Sequence, residues 1–360
     1  MQMRLMQTTN APTAAQPSGN IVIRAFCAMT CWCILFGTAS ASAADGFMKD
    51  VSFDTYSPLS SSAEMARRML TPLSYRRIEP QLANARKQPI DLADEKFAVY
   101  VPADAPPQGF GLVVFVPPWP QASLPKDWPR VLDRNGLIFV TAANSGNEAG
   151  LLDRRVPLAL LAYENARKRY SIDANRVYVG GMSGGSRVAL RIALAYPDVF
   201  RGALLNAGSD PIGGDQVALP PAELLHRFQE STRLVFLTGE RDEINRHNDL
   251  ISQKSLRGWC VSDVDSVTMP RRGHEIADAA GLAQALKKLE QRSAIEPDTL
   301  AQCRTTLDAE LTAQVTDAQA AVRAGDRARA VAAMAAIDAH FGGMAEQAVV
   351  ELQGELGSQK

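Results

Sequence analysis

Residues Arg176–Phe200 read RVYVGGMSGGSRVALRIALAYPDVF, and the fold follows from how this stretch is parsed. Val177-Tyr178-Val179 is a short apolar run that enters Gly180-Gly181-Met182-Ser183-Gly184-Gly185. Beyond Ser186, the residues Val188, Ile192 and Ala195 recur at helical spacing. The segment therefore reads as strand, sharp turn, helix. Gly181-Met182-Ser183-Gly184-Gly185 fits the pattern G-x-S-x-G, in which the serine occupies a strained turn and the glycines let neighbouring backbone approach without a Cβ clash. A Gly-rich loop that merely closes a strand shares the bare motif. The strand before it and the helix after it are what would lift a serine hydroxyl to the top of a sheet.

Outward from this turn, apolar runs alternate with helical patterns. Lys96–Pro102 and Gly111–Val116 read as strands separated by the turn Ala105-Pro106-Pro107-Gln108-Gly109. Gly136–Ala142 is a further strand after a helical stretch Asp127–Asn135, and Pro157–Tyr170 is an amphipathic helix. Downstream come Gly202–Asn206, Arg233–Thr238 and Ser266–Met269, with helices between. Uninterrupted apolar strands separated by helices predict an α/β domain, a doubly wound, mainly parallel sheet covered on both faces, over 94–295. Its core is expected to begin at Lys96. The preceding lead-in, 45–93, carries a short helix Ala63–Leu70 capped by Ser62 and suggests no chemistry.

The elbow and the run Ile172–Val179 leading into it resemble the α/β-hydrolase superfamily, and within it the secreted esterases of the polyhydroxybutyrate depolymerase-like and feruloyl esterase-like group. The resemblance covers roughly Phe97 to Leu289 and implies a nucleophile, an acid and a histidine in that chain order. Ser183 matches the nucleophile. Asp242, in Thr238-Gly239-Glu240-Arg241-Asp242 after an apolar strand, matches the acid, with Glu240, Glu243 and Asp249 as competitors. His274, just past the last strand in Pro270-Arg271-Arg272-Gly273-His274, matches the base; His247 is its rival, while His226 and His340 fall in helical patterns. A serine hydroxyl needs such an imidazole, itself oriented by a carboxylate, to become nucleophilic at neutral pH.

An acyl-transfer site also needs amides aimed at the developing oxyanion. The amide after the nucleophile, Gly184, is one candidate. Where the family places a His-Gly motif after the third strand, this chain has Pro117-Pro118-Trp119-Pro120, and because proline has no N–H only Trp119 can donate there. Trp119 and Trp128 could line a binding wall or pack in the core.

A chain of 360 residues has room for this domain and an appendage. The formal charge of −1 argues against a nucleic-acid partner. Residues 1–44 hold Arg24, the apolar run Ala25–Gly37 and small-residue sites around Ala39-Ser40-Ala41-Ser42-Ala43, which predict a signal peptide, export to the periplasm or beyond, and no stable membrane span after processing. Cys27, Cys31 and Cys33 leave with that segment, so Cys260 and Cys303 are expected to form a disulfide in an oxidising compartment.

Residues 296–360 turn alanine-rich and helical. Leu307, Leu311, Val315 and Val322 form one apolar stripe and Val331, Met334, Ile337 and Phe341 a second, on either side of the cap signal Gly325-Asp326. This C-terminal helical hairpin must cover its stripes against the α/β domain or against a second copy of the chain.

Three functions fit these residues. The first is a carboxylic ester hydrolase acting on a small-molecule or polymeric ester through Ser183, His274 and Asp242, which requires no metal or organic cofactor. The second is a serine peptidase of similar fold. The third is a catalytically inactive binding protein whose oxyanion loop has drifted.

Overall fold

The computed structural model describes residues 46–214, 216–291 and 295–358. The signal-peptide segment and its three cysteines lie outside the described residues. Eight strands form one sheet: β1 (Gly46–Val51), β2 (Phe97–Val101), β3 (Phe110–Val116), β4 (Leu137–Ala142), β5 (Ile172–Met182), β6 (Gly202–Asn206), β7 (Arg233–Gly239) and β8 (Val264–Met269). Their order is β1-β2-β4-β3-β5-β6-β7-β8. Only β2 runs against its neighbours; from β4 across to β8 every pairing is parallel. This strand order, with the second strand reversed, is that of the α/β-hydrolase fold.

The strands read as continuous apolar runs because both faces are covered. On β3, Leu112, Val114 and Val116 enter one core while Val113 and Phe115 enter the other; β4 divides Ile138 and Val140 from Leu137 and Phe139 in the same way. Period-two alternation is thus present but both phases are hydrophobic. Helices α1 (Ser62–Met69), α2 (Pro72–Leu82), α3 (Pro129–Asn135), α4 (Val156–Arg169), α5 (Gly184–Ala195), α6 (Ala222–Ser231), α7 (Glu243–Gly258) and α8 (Ala279–Glu290) connect and flank the strands. Through Leu158, Leu160, Val188 and Ile192, α4 and α5 pack into the first core; through Val131, Leu132, Leu282 and Leu286, α3 and α8 pack into the second.

Two expectations for the lead-in are corrected. The core does not begin at Lys96, because Gly46–Val51 supplies the outermost strand and Phe53, Met65, Ile90 and Leu92 are buried in the first core. The edge position explains the missing signal, since Lys49 and Asp50 point to solvent and break the apolar run. The cap of α1 is Ser61 rather than Ser62: Ser61 is extended, its hydroxyl accepts from the Glu64 amide at 3.3 Å, and Ser61-x-x-Glu64 has the spacing of a capping box.

The tail consists of α9 (Pro297–Arg323), α10 (Arg327–Phe341) and α11 (Glu346–Ser358), with Asp326 capping α10 through the Arg329 amide. It belongs to the same compact unit as the sheet. Ile337, Phe341, Val349 and Leu352 are buried in the first core, and Phe341 meets the Trp259 ring edge-on at 5.8 Å. Val331 departs from the predicted stripe and is 43% exposed. Gly342 and Gly343 lie against the backbone of 219–221 so closely that the Gly343 amide donates to the Leu219 carbonyl at 2.7 Å. The Cys260–Cys303 disulfide, with Cα atoms 5.8 Å apart, ties the end of α7 to α9.

Candidate active site

Ser183 is held where the sequence pattern requires. Its φ is +54° and ψ −120°, a conformation that an L-residue keeps only when its surroundings impose it. The imposition comes from both flanks. A Cβ on Gly181 would be driven into the Gly185 backbone, and one on Gly185 into the Val116 carbonyl at the end of β3. The Ser183 amide donates to the Asn206 carbonyl at 2.8 Å, which continues the β5–β6 ladder into the turn.

The structure brings together the three residues expected to act together. Ser183 Oγ is 3.0 Å from His274 Nε2, and His274 Nδ1 is 2.7 Å from Asp242 Oδ2. These contacts span 91 and 32 residues of chain, so only the sheet's topology creates them. Asp242 caps α7 and is 7% exposed, whereas the His274 side chain is 44% exposed. Burial by itself would raise the Asp242 pKa, but hydrogen bonds from His274 and from Asn245 outweigh it and hold the carboxyl below its ordinary value. A proton on Nδ1 would donate to Asp242 and leave Nε2 to accept from the Ser183 hydroxyl; the same Nδ1 also lies 2.9 Å from Asn245 Nδ2.

The competing residues are placed elsewhere. Glu240 accepts from the Arg271 amide at 2.7 Å, Glu243 and His247 are exposed on α7, and Asp249 is buried against the Thr238 hydroxyl at 2.5 Å. His226 lies under the tail, where its carbonyl accepts from Arg304, and His340 stacks near Trp259. Trp128 is core: 3% exposed, edge-on to Phe115 and Phe139, its indole N–H donating to the Ala277 carbonyl at 2.8 Å.

Sequence reasoning passed over two asparagines that hold this arrangement. Asn245 donates from Nδ2 to both oxygens of Asp242 at 2.9 Å, and its place three residues after a helix-capping aspartate is the signal that would have found it. Buried Asn206, at the end of β6, bonds the Leu237 carbonyl at 2.9 Å and the Ala277 amide at 2.8 Å, tying the His274 loop to the sheet beside the serine turn.

Beside the elbow, the loop Pro117–Pro120 is clamped by the segment that follows β4. The Pro117 carbonyl accepts from Arg155 Nη2 at 3.0 Å, the Pro118 carbonyl from the Asn147 amide at 3.0 Å, and the Pro120 carbonyl from the Asn144 amide at 2.6 Å. Trp119 holds the one amide in this run, and neither it nor the Gly184 amide donates to a protein acceptor among the described residues. Arg155 closes a π-helical turn, Leu151–Arg155, and is 6% exposed; its other bond goes to the Ser145 carbonyl at 2.9 Å. It has no carboxylate partner among the described residues. Burial, with Arg191 nearby, lowers its pKa to about 10.

No family model matches the sequence, and no curated protein matches it. Among solved structures, the chain is similar to a thermostable esterase (TM-score 0.41, 17% identity, 56% of this chain and 60% of that one). It is similar to the dipeptidyl peptidase 4 of Porphyromonas gingivalis (TM-score 0.39, 14% identity, 54% of this chain and 33% of that one). It is also similar to a ferulic acid esterase (TM-score 0.40, 13% identity, 54% of this chain and 90% of that one). The chain thus spans a third of the peptidase and 60% of the thermostable esterase. The sheet order and the strained serine turn after β5 together define the class: an α/β-hydrolase fold with Ser183 on the turn between β5 and α5.

Proposed function

We propose that the protein is an exported serine hydrolase, a carboxylic ester hydrolase working through an acyl-enzyme. The observation that carries this reading is the continuous hydrogen-bonded line from Ser183 Oγ through His274 to Asp242, with the serine on a strained elbow. In the first half-reaction Ser183 Oγ attacks the ester carbonyl carbon while its proton passes to His274 Nε2. The carbonyl π-electrons move onto oxygen, and that oxyanion is met by the Gly184 and Trp119 amides. Collapse expels the alcohol, which takes the proton from His274, and the acyl group stays on Ser183. Water activated by the same imidazole releases the acid and regenerates the serine. Asp242 stays ionised throughout, orienting the ring and offsetting the imidazolium charge.

Export is supported by the expected signal peptide together with the disulfide, which suits an oxidising compartment. No described helix is long and apolar enough to cross a membrane. The substrate would be a small soluble ester or the accessible end of a polymer, reached by a half-exposed histidine.

Turnover of p-nitrophenyl acetate and butyrate tests the proposal against aminoacyl amides as peptidase substrates. Ester turnover should dominate, and Ser183→Ala, His274→Ala and the double variant should lose activity to the same degree, because the triad acts as a unit. Preference for the amides would reassign the protein as a peptidase, and inertness toward both would leave the binding-protein reading.

A further inference from the structure

Asn147 stands between the two amides assigned to the oxyanion. Its own backbone N–H is bonded to the Pro118 carbonyl, one residue from Trp119, at 3.0 Å. Its neighbour Gly146 packs against the backbone of Trp119 so closely that a Cβ there would lie 2.7 Å from the Trp119 carbonyl carbon. Its side chain reaches over the elbow: Oδ1 is the atom nearest the point where a Cβ of Gly184 would sit, with Cγ and Nδ2 behind it at 2.9 and 3.2 Å. The space vacated by the missing side chain at 184 is filled by the Asn147 amide.

That amide has no other occupation. Asn147 is exposed, and among the described residues neither Oδ1 nor Nδ2 bonds to protein. Nothing therefore holds one end of the group in preference to the other, and a half-turn about χ2 brings Nδ2 to where Oδ1 lies. The surroundings explain the need for it. With prolines at 117, 118 and 120 the loop after β3 offers a single N–H, so a side-chain donor anchored to the same loop restores what the prolines remove.

We propose that Asn147 is a catalytic residue whose side-chain N–H donates a third hydrogen bond to the oxyanion of the tetrahedral intermediate. The bond strengthens as charge develops on the carbonyl oxygen, so it stabilises the transition state more than the bound ester. The inference rests on the ester-hydrolase reading and assigns one more donor to the same site.

The test uses the full chain with p-nitrophenyl butyrate, in wild type, Asn147→Ala, Asn147→Asp and Ser183→Ala. Because residue 147 is exposed, thermal midpoints should match the wild type. Asn147→Ala should lower kcat by about 10²-fold, the loss seen for a single oxyanion donor, with KM changed little. Asn147→Asp, which has the same shape but no donor and a negative charge, should lose more. Affinity for a trifluoromethyl ketone, which forms an oxyanionic hemiketal on the serine, should fall in step with kcat/KM, a response that a purely structural role would not give. Wild-type kcat in Asn147→Ala, with turnover still abolished in Ser183→Ala, overturns this inference alone. A fall in stability that accounts for the lost activity also overturns it. Wild-type turnover that survives Ser183→Ala removes the hydrolase reading and this inference with it.

Discussion

Two loops meet at the start of α5, and they are fixed by opposite means. The elbow is fixed by what its glycines lack: without side chains at 181 and 185, the turn closes against its own helix and the end of β3. The Pro117–Pro120 loop is fixed by what its neighbours supply: three carbonyls are bonded from Asn144, Asn147 and Arg155. A constraint imposed by local sterics leaves a motif in the sequence; one imposed by partners more than twenty residues away leaves none. Substitutions on the two loops should fail in different ways.

The largest effect is expected at the elbow. Gly185→Ala sets a Cβ against the Val116 carbonyl, and because the obstacle is backbone it cannot move aside. Loss of stability of about 3 kcal/mol or more and no measurable ester turnover should follow, checked by denaturant titration and p-nitrophenyl butyrate assay. On the other loop, Arg155→Met strips the Pro117 and Ser145 carbonyls of their donor in a buried place, at about 1 to 3 kcal/mol for each unsatisfied group. Turnover should drop by one to two orders of magnitude through kcat, on the order expected for a misplaced oxyanion donor, while the fold persists in circular dichroism.

Remote from both loops, the disulfide should affect stability alone. Replacing Cys260 and Cys303 together by serine should cost about 2 to 4 kcal/mol through the freed loop, with kcat/KM of the folded fraction unchanged. Calorimetry and assay on the same sample separate the two.

At Asp249 the expected effect is again on stability, and it appears only as pH rises. Burial, partly offset by the Thr238 hydroxyl, raises its pKa from 3.8 to about 6, and its Oδ1 has no hydrogen-bond partner among the described residues. A carboxyl whose pKa is raised by folding favours the folded state below its unfolded pKa and loses that advantage as pH rises through the folded value. Asp249→Asn should therefore gain stability over wild type progressively between pH 4 and 7, reaching about 3 kcal/mol at most. Thermal midpoints across that range would show it, and a gap that is constant with pH would refute it.

The same contrast explains what the sequence disclosed. The parallel sheet was legible because both phases of β3, β4 and β7 are apolar, and the elbow because its glycines are consecutive in the chain. Ser183, Asp242 and His274, which the structure places in hydrogen-bond contact, could be singled out through the order of nucleophile, acid and histidine that the resemblance implies. Strand β1 could not be read, since an edge strand that exposes Lys49 and Asp50 carries no sustained apolar run. Val331 fell on a helical stripe that the hairpin turns outward. Asn147, Asn206 and Arg155 escaped because polar residues in loops become recognisable only when the fold shows what they touch.

The claim that the Ser183 line is chemically competent is tested most directly by covalent labelling. The purified protein is treated with a fluorophosphonate and its peptides are sequenced by mass spectrometry. One phosphonyl adduct on Ser183 is predicted, formed rapidly in wild type, slowly in His274→Ala and not at all in Ser183→Ala. An unmodified Ser183 in folded wild-type protein, or an adduct on another serine that survives Ser183→Ala, would contradict the account.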